Sequence, residues 1–331
     1  MSKSGRKINY GLRPAKSIER KMMRDMFLRM LSGLKLTDYQ YIGFGAKYFI
    51  DFNLFHKSLH IKNMVSIESD RQNIERYIFN RPFDCIKILT GNSCDVLPKL
   101  DFASRAIVWL DYDARFTKTM LDDLSILIER SKSGTVICLT YNSEPYSREE
   151  VNRFAAEKGV DATYRNLFET VLGEENIPTA FDERGWSNRR NYQSLIREAI
   201  CSRINDNILS RNHSLEKENE LLSINQIMYF EYNDSGQTMN TLCFVLHDKK
   251  DKEKIDSNME DCSFEFHNAG DTPYEITVPN FTLKEIRCLM EKMPSEIEQL
   301  NLNDKVFNVN DVDGFIKNYR YFPTFNEFEV L

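Results

Sequence analysis

The stretch Tyr39-Gln-Tyr-Ile-Gly-Phe-Gly-Ala46 predicts a short buried strand that ends in a tight turn at Gly43 and Gly45 and is followed by a helix. Glu68 closes the next strand-like stretch, which begins near residue 63. Glycines let a backbone approach a ligand closely, and an acid about 20 or more residues further on can bind ribose hydroxyls. Together these features predict a nucleotide-type cofactor site at the carboxyl ends of neighbouring strands.

Strand-like and helix-like stretches alternate after this unit. Further strands are predicted at 85–89, 106–110 and 135–140, and helices at 47–59, 71–80, 117–131 and 147–158. The runs 106–110 and 135–139 are mainly apolar, which is typical of parallel strands buried on both faces. The apolar runs 224–232 and 239–247 flank a turn-forming sequence and predict an antiparallel hairpin. The predicted fold is α/β, a doubly wound, mostly parallel seven-stranded sheet with a terminal antiparallel hairpin.

The other segments divide the chain into three parts. Residues 1–35 contain a helix-like stretch that begins at Pro14, and we expect this segment to lie over the pocket. Cations at a helix N-terminus are electrostatically unfavourable because they lie at the positive end of the helix dipole. This cost suggests a functional role, and Arg13 and Lys16 are therefore predicted to act as a lid and to pair with a carboxylate or a phosphate. Residues 36–248 form the predicted main domain, with a helical insertion at 161–219. The charged residues 249–261 are interpreted as a linker, and residues 260–331 as a small C-terminal extension.

Composition excludes several classes of protein. The chain has 331 residues, of which 41% are hydrophobic, and can therefore form a sizeable core. Its net charge of −6 provides no general attraction for a polyanion, so nucleic acid is not favoured as a partner. No run approaches the ~18 apolar residues that a membrane span needs, and we expect a cytoplasmic protein. Seven scattered cysteines, without a Cys-x-x-Cys pair, argue against a zinc site or a disulfide framework.

The order of these motifs, from residue 39 to about residue 247, resembles the class I S-adenosylmethionine-dependent methyltransferases. Gly43 and Gly45 stand where the glycine loop of that family passes under the methionine part of the cofactor. Glu68 stands where the family's acid binds the ribose hydroxyls. Asn92 replaces the acid that usually meets the adenine amino group, and its amide oxygen can still accept that hydrogen bond. The resemblance therefore implies S-adenosyl-L-methionine as the cofactor, with Asp111 as a further contact.

The sequence Trp109-Leu-Asp-Tyr-Asp113 occupies the fourth motif, where the family places catalytic or substrate-facing residues. Asp111 is the predicted general base, and Tyr112 and Asp113 are further catalytic candidates. No metal is expected. The alternative, which is similar to catechol-type methyltransferases, is a magnesium ion held by Asp111, Asp113 and Asn142.

Two positions depart from the family pattern. Tyr41 stands where the family has an acid two residues before the first glycine, and Lys47 replaces the usual third glycine.

The resemblance implies a bacterial O-methyltransferase-like enzyme that methylates an oxygen or nitrogen of a small-molecule acceptor. The departures leave open a degenerate methyltransferase fold that serves as a nucleotide-sensing or protein-interaction module in bacterial defence. Nucleic-acid methylation is the other alternative. Two further candidate partners are a second copy of the chain and another protein bound through the C-terminal extension.

Overall fold

A computed structural model describes residues 13–323 of the chain, except Ser214, Glu216 and Ser235. Its sheet has eight strands in the order β3-β2-β1-β4-β5-β7-β6-β8. The strands are β1 (Gln40–Gly43), β2 (Asn63–Glu68), β3 (Ile86–Thr90), β4 (Ala106–Arg115), β5 (Val136–Asn142), β6 (Ser223–Asp234), β7 (Gln237–His247) and β8 (Tyr274–Ile276).

Helices cover both faces of this sheet. They are α1 (Pro14–Met30), α2 (Ile50–Leu59), α3 (Ile74–Asn80), α4 (Ser93–Val96), α5 (Lys118–Arg130), α6 (Arg148–Lys158), α7 (Tyr164–Leu172), α8 (Arg189–His213), α9 (Lys249–Met259), α10 (Leu283–Met290) and α11 (Val309–Asn318). Within the described part of the chain, no helix is both long enough and apolar enough to cross a membrane.

The strand order confirms the predicted α/β fold. Strands β1 to β5 are parallel, β7 is antiparallel to β5, and β6 is antiparallel to β7. The sheet has one strand more than expected, because β8 pairs in parallel with the edge strand β6. The C-terminal region therefore extends the main sheet, while the predicted division of the chain into domains remains a prediction.

The interpretation of residues 249–261 as a linker is wrong, because most of this segment forms α9. The Asp248 side chain caps the helix by accepting a hydrogen bond from the backbone N–H of Asp251 at 2.8 Å. Ile255 is buried among apolar residues, and the Asn258 amide donates to the carbonyl oxygen of Met30 at 3.0 Å. A single buried apolar residue leaves little periodic signal in a charged sequence, which explains the error.

Strand β4 shows how the sheet positions its polar residues. Successive side chains of a strand point to opposite faces, so Ile107 and Trp109 join the core under α1 and α2, while Val108 and Leu110 join the core under α5 and α8. The strand was predicted to end at Leu110 but continues to Arg115. Its pairing with β5 shifts register after Asp111, which faces α1.

Helix α1 carries a buried cation on its inner face. It begins at Pro14, whose fixed φ suits the first helical position. The Lys16 side chain is 2% exposed, and its Nζ donates to Asp111 Oδ1 at 2.8 Å and to the Tyr232 hydroxyl at 2.9 Å, and lies 2.8 Å from Glu19 Oε2. Nζ also lies 4.4 Å from the centroid of the Trp109 ring. Lys16 is thus paired within the protein, with the carboxylate of Asp111.

We expect Lys16→Met to lower the free energy of unfolding by about 3–5 kcal/mol, because it leaves the Glu19 and Asp111 carboxylates without their buried cation. Urea-induced unfolding followed by circular dichroism measures this loss. The matched control is Lys57→Met on the exposed face of α2, which should change the free energy by less than about 0.5 kcal/mol. Equal effects of the two substitutions would contradict a stabilising role of the buried ion pairs.

Candidate active site

A cavity of about 540 Å³ lies at the carboxyl ends of the first four strands. This size is typical of sites for small molecules and cofactors. Its wall includes aromatic side chains and charged side chains; the aromatic ones are Phe44, Tyr48, Tyr77 and Tyr112, and the charged ones are Arg20, Asp51, Glu68, Asp70, Asp111 and Asp113. The described structure therefore brings Gly45, Glu68, Asn92 and the fourth-motif residues to one site.

The two glycines of the turn differ in their relation to the cavity. The N–H of Gly45 donates to Ser66 Oγ at 2.9 Å. A Cβ at this position would lie 2.8 Å from that oxygen and would overlap the Phe49 ring, so only glycine fits. A Cβ at Gly43 would lie 2.8 Å from the Tyr41 hydroxyl oxygen. Gly43 is not among the described residues that line the cavity, so its close approach is to the protein itself.

Glu68 connects the end of β2 to the glycine turn. Its Oε1 accepts hydrogen bonds from the Ala46 N–H at 2.9 Å and from Ser66 Oγ at 2.7 Å. Ala46 has φ +47°, a left-handed conformation that is strained for a residue with a side chain. Burial raises the pKa of Glu68 to about 7, although the bonds from Ser66 and Ala46 oppose the shift. A fixed carboxyl group therefore lines the cavity at the position predicted for ribose binding.

The hydroxyl of Tyr112 is engaged in the protein. It donates to Asp123 Oδ2 at 2.6 Å, and the Ser93 hydroxyl donates to the same oxygen. Burial and the neighbouring Asp123 carboxylate raise the pKa of Tyr112 well above its ordinary value. The aromatic ring lines the cavity and packs edge-on against Phe44, with 5.3 Å between ring centroids. Tyr112 thus contributes its ring to the wall of the cavity, while its hydroxyl group is hydrogen-bonded to Asp123.

Asp111 and Asp113 both line the cavity, whereas Asn142 is not among the described lining residues. The side chain of Asp111 is 21% exposed and is held by Lys16. Asn142 Oδ1 instead accepts a hydrogen bond from the backbone N–H of Glu144 at 2.8 Å. Across residues 13–323, apart from the three omitted positions, no cluster of three or more His, Cys, Asp or Glu residues is arranged to hold a metal.

Arg13 and Lys16, the two residues of the predicted lid, lie at the start of α1. Arg13 precedes the first turn of α1, and its carbonyl oxygen accepts from the Ser17 N–H at 3.0 Å. Neither residue is among the described residues that line the cavity. Lys16 acts on the cavity through Asp111, because its Nζ is fully enclosed.

Two charged residues of the cavity were missed in the sequence. Arg20 is 5% exposed and Asp51 is 9% exposed, and both line the cavity. The Tyr41 hydroxyl donates a short hydrogen bond to Asp51 Oδ2. Burial raises the pKa of Asp51, and the charge of Arg20 and the Tyr41 hydrogen bond oppose that shift. The sequence did contain a signal for each residue. Arg20 follows Lys16 by four positions and therefore lies on the same face of α1, and Asp51 is an acid in the first turn of α2, the helix that follows the glycine turn.

Comparisons with known proteins place this geometry in context. A family model described as "Putative O-methyltransferase" matches residues 8–330. No curated protein matches the chain at a significant level.

Among solved structures, the chain is similar to the O-methyltransferase TomG from Streptomyces achromogenes in complex with SAM, at 14% identity over 66% of this chain and 78% of that one, with a TM-score of 0.35. It is also similar to an O-methyltransferase from Bacillus cereus in complex with SAH, at 16% identity over 67% and 80% of the two chains, with a TM-score of 0.33. At such identity these likenesses concern the fold alone.

The raised pKa of Glu68 predicts a pH dependence of stability. The folded protein keeps the Glu68 proton up to about pH 7, whereas an unfolded chain loses it near pH 4.3. The folded state binds more protons in this interval, so the stabilising contribution of Glu68 falls as the pH rises through it. We expect wild type to lose up to about 3 kcal/mol relative to Glu68→Gln between pH 4.5 and pH 7.5.

Urea unfolding of both proteins across this pH range measures the difference. Glu75→Gln, on the exposed side of α3, is the control and should follow the wild-type profile. Parallel profiles of wild type and Glu68→Gln would show that the Glu68 pKa is not raised.

Proposed function

The chain belongs to this O-methyltransferase family, and from that premise we propose that it transfers the methyl group of S-adenosylmethionine to an uncharged, phenol-type hydroxyl of a small acceptor. Family membership confirms the enzyme class expected from the sequence, a methyltransferase. The finer proposal rests on the character of the cavity at the carboxyl ends of β1 to β4, where carboxyl groups and aromatic rings line one space.

The residues of the cavity fit the proposed cofactor. Glu68 and Asn92 both line the cavity; Glu68 would bind the ribose hydroxyls, and the carbonyl oxygen of Asn92 would accept a hydrogen bond from the adenine amino group. Gly45 provides a backbone surface without a side chain. When bound, the sulfonium group supplies an electrophilic methyl group, so the protein must position the acceptor, take up its proton and exclude water.

The charge of the cavity favours an uncharged acceptor. Besides Glu68, which keeps its proton up to about pH 7, the lining contains the acids Asp51, Asp70, Asp111 and Asp113, and Arg20 is the only basic side chain among the described lining residues. Such an excess of acids attracts a cationic sulfonium and repels an anionic acceptor. Carboxylate and phosphate acceptors, and with them nucleic acid, are therefore disfavoured.

Asp111 is the proposed general base, and Lys16 is its positioning residue. The ammonium of Lys16 fixes Asp111 Oδ1 at 2.8 Å. A carboxylate positioned in this way can accept the proton of a phenol in the transition state. In the proposed step the acceptor oxygen bonds to the methyl carbon, the carbon–sulfur bond breaks, and the phenolic proton passes to Asp111. The aromatic lining of the cavity suits a flat ring.

The first test is binding of the cofactor. We expect isothermal titration calorimetry to show saturable one-to-one binding of S-adenosylmethionine and S-adenosylhomocysteine by the full chain, because the cavity has the volume of a cofactor site and an acidic lining. Glu68→Ala should weaken both ligands through loss of the ribose contact, whereas Glu75→Ala should not. If neither ligand binds to folded wild type, the chain is a non-catalytic interaction module.

The second test separates the two acids of the fourth motif. With a panel of uncharged phenols, we expect Asp111→Asn to lower product formation by about 10²–10⁴-fold and to leave S-adenosylhomocysteine affinity within a few-fold. Asp113→Asn is the matched comparison and should retain more activity. Mass spectrometry of the methylated phenol and of the released S-adenosylhomocysteine measures both.

Loss of turnover in Asp113→Asn alone would move the base to that residue. The carboxylated counterparts of the same phenols should be poorer acceptors in wild type. Preference for them would overturn the proposed acceptor class.

A further inference from the structure

We propose that the cofactor's amino-acid end is bound by Arg20 of α1 and Asp51 of α2, with the guanidinium on the α-carboxylate and the Asp51 carboxylate on the α-ammonium. This inference rests on the proposed use of S-adenosylmethionine and assigns a binding function to the N-terminal helix. Neither residue belongs to the glycine turn or to the ends of the strands that the sequence motifs identify.

The chemistry of the ligand requires such a pair. The amino-acid end of S-adenosylmethionine carries a negative α-carboxylate and a positive α-ammonium group, and each charge that enters a buried site needs a partner of opposite sign. Arg20 is the only basic side chain among the described residues of the cavity wall, and it is 5% exposed. An arginine fork matches the geometry of a carboxylate. Asp51 provides the complementary acceptor for the ammonium group.

The positions of these residues define two ends of the cavity. Glu68 ends β2 and Asn92 follows β3, so both lie on the side of the sheet toward the β3 edge. Asp51 is bonded to Tyr41 of β1, and the charges of Arg20 and Asp111 both act on Asp51. Arg20 and Asp111 therefore lie on the β1–β4 side, and Asp51 lies between them and Glu68, on which its charge also acts. An adenosyl group held by Glu68 and Asn92 leaves this second side for the amino acid.

The same contacts explain why Tyr41 replaces an acid in β1. The Tyr41 hydroxyl donates to Asp51 Oδ2, so the tyrosine orients a carboxylate that comes from the first turn of α2. The site thus contains an acid next to the glycine turn, although it comes from a different segment of the chain. Tyr41 is a positioning residue in this arrangement.

Three ligands separate the two contacts in wild type and variants. S-adenosylmethionine carries the α-carboxylate and the α-ammonium group. Its decarboxylated analogue keeps the ammonium but lacks the carboxylate, and methylthioadenosine lacks the whole amino-acid end. We expect calorimetry on wild type to show that decarboxylation weakens binding by about 10-fold or more, the usual range for a lost charge-assisted hydrogen bond.

Each variant should give its own pattern. Arg20→Gln should weaken S-adenosylmethionine by a similar factor and leave the decarboxylated ligand unchanged or tighter. Asp51→Asn should weaken both of these ligands, because both retain the ammonium group. Neither substitution should change methylthioadenosine affinity by more than a few-fold. Arg24→Gln, one turn further along α1 and paired with Asp25, is the matched control and should bind all three ligands like wild type.

The outcomes distinguish this inference from the proposed function. If wild type binds S-adenosylmethionine and its decarboxylated analogue equally well, the Arg20 contact is refuted while cofactor binding stands. If no adenosyl ligand binds, the proposed function fails first. Should a variant fail to fold, as judged by its melting temperature, the comparison of ligands in wild type still decides the question.

Discussion

The buried ammonium group of Lys16 connects the N-terminal helix to the edge of the sheet that borders the cavity. It joins Asp111 of β4, which borders the cavity, to Glu19 of its own helix and Tyr232 of β6, which are buried. Burial lowers the pKa of Lys16, but the charges of Asp111 and Glu19 outweigh this and raise it, so the lysine stays charged. A charge buried in this way is tolerated only with such partners, and the requirement fixes the rotation and depth of α1.

The network around Lys16 extends through the sheet. Thr241 of β7 donates a short hydrogen bond to Glu19, Thr241 and Thr140 share a hydrogen bond of 2.7 Å, and the indole N–H of Trp109 donates to Thr140 at 2.9 Å. Polar networks of this kind specify one packing arrangement when every member has a partner. Because α1 is held in a single position, Arg20, one turn after Lys16, lies at the cavity wall.

The cavity combines groups that are costly to hold without a ligand. Asp51 and Glu68 have raised pKa values because both are buried, and Ala46 is in a strained left-handed conformation beside Glu68. Strain and buried acids of this kind concentrate at functional sites. A cationic cofactor that binds only the folded state would offset part of this cost and stabilise the protein.

The sequence by itself determined the α/β class, the order of the five parallel strands and the helices between them, the terminal hairpin, and Gly45 and Glu68 as cavity residues. These follow from local periodicity, turn residues and the rule that ligands bind beyond the carboxyl ends of parallel strands, whereas Asn92, Asp111 and Asp113 were identified through the resemblance to the methyltransferase motifs. Only the tertiary structure decided that Lys16 holds Asp111 across 95 positions of sequence and that Tyr41 orients Asp51. Periodicity states which face a residue occupies but not which residue meets it there, because that depends on how α1 and α2 pack on the sheet.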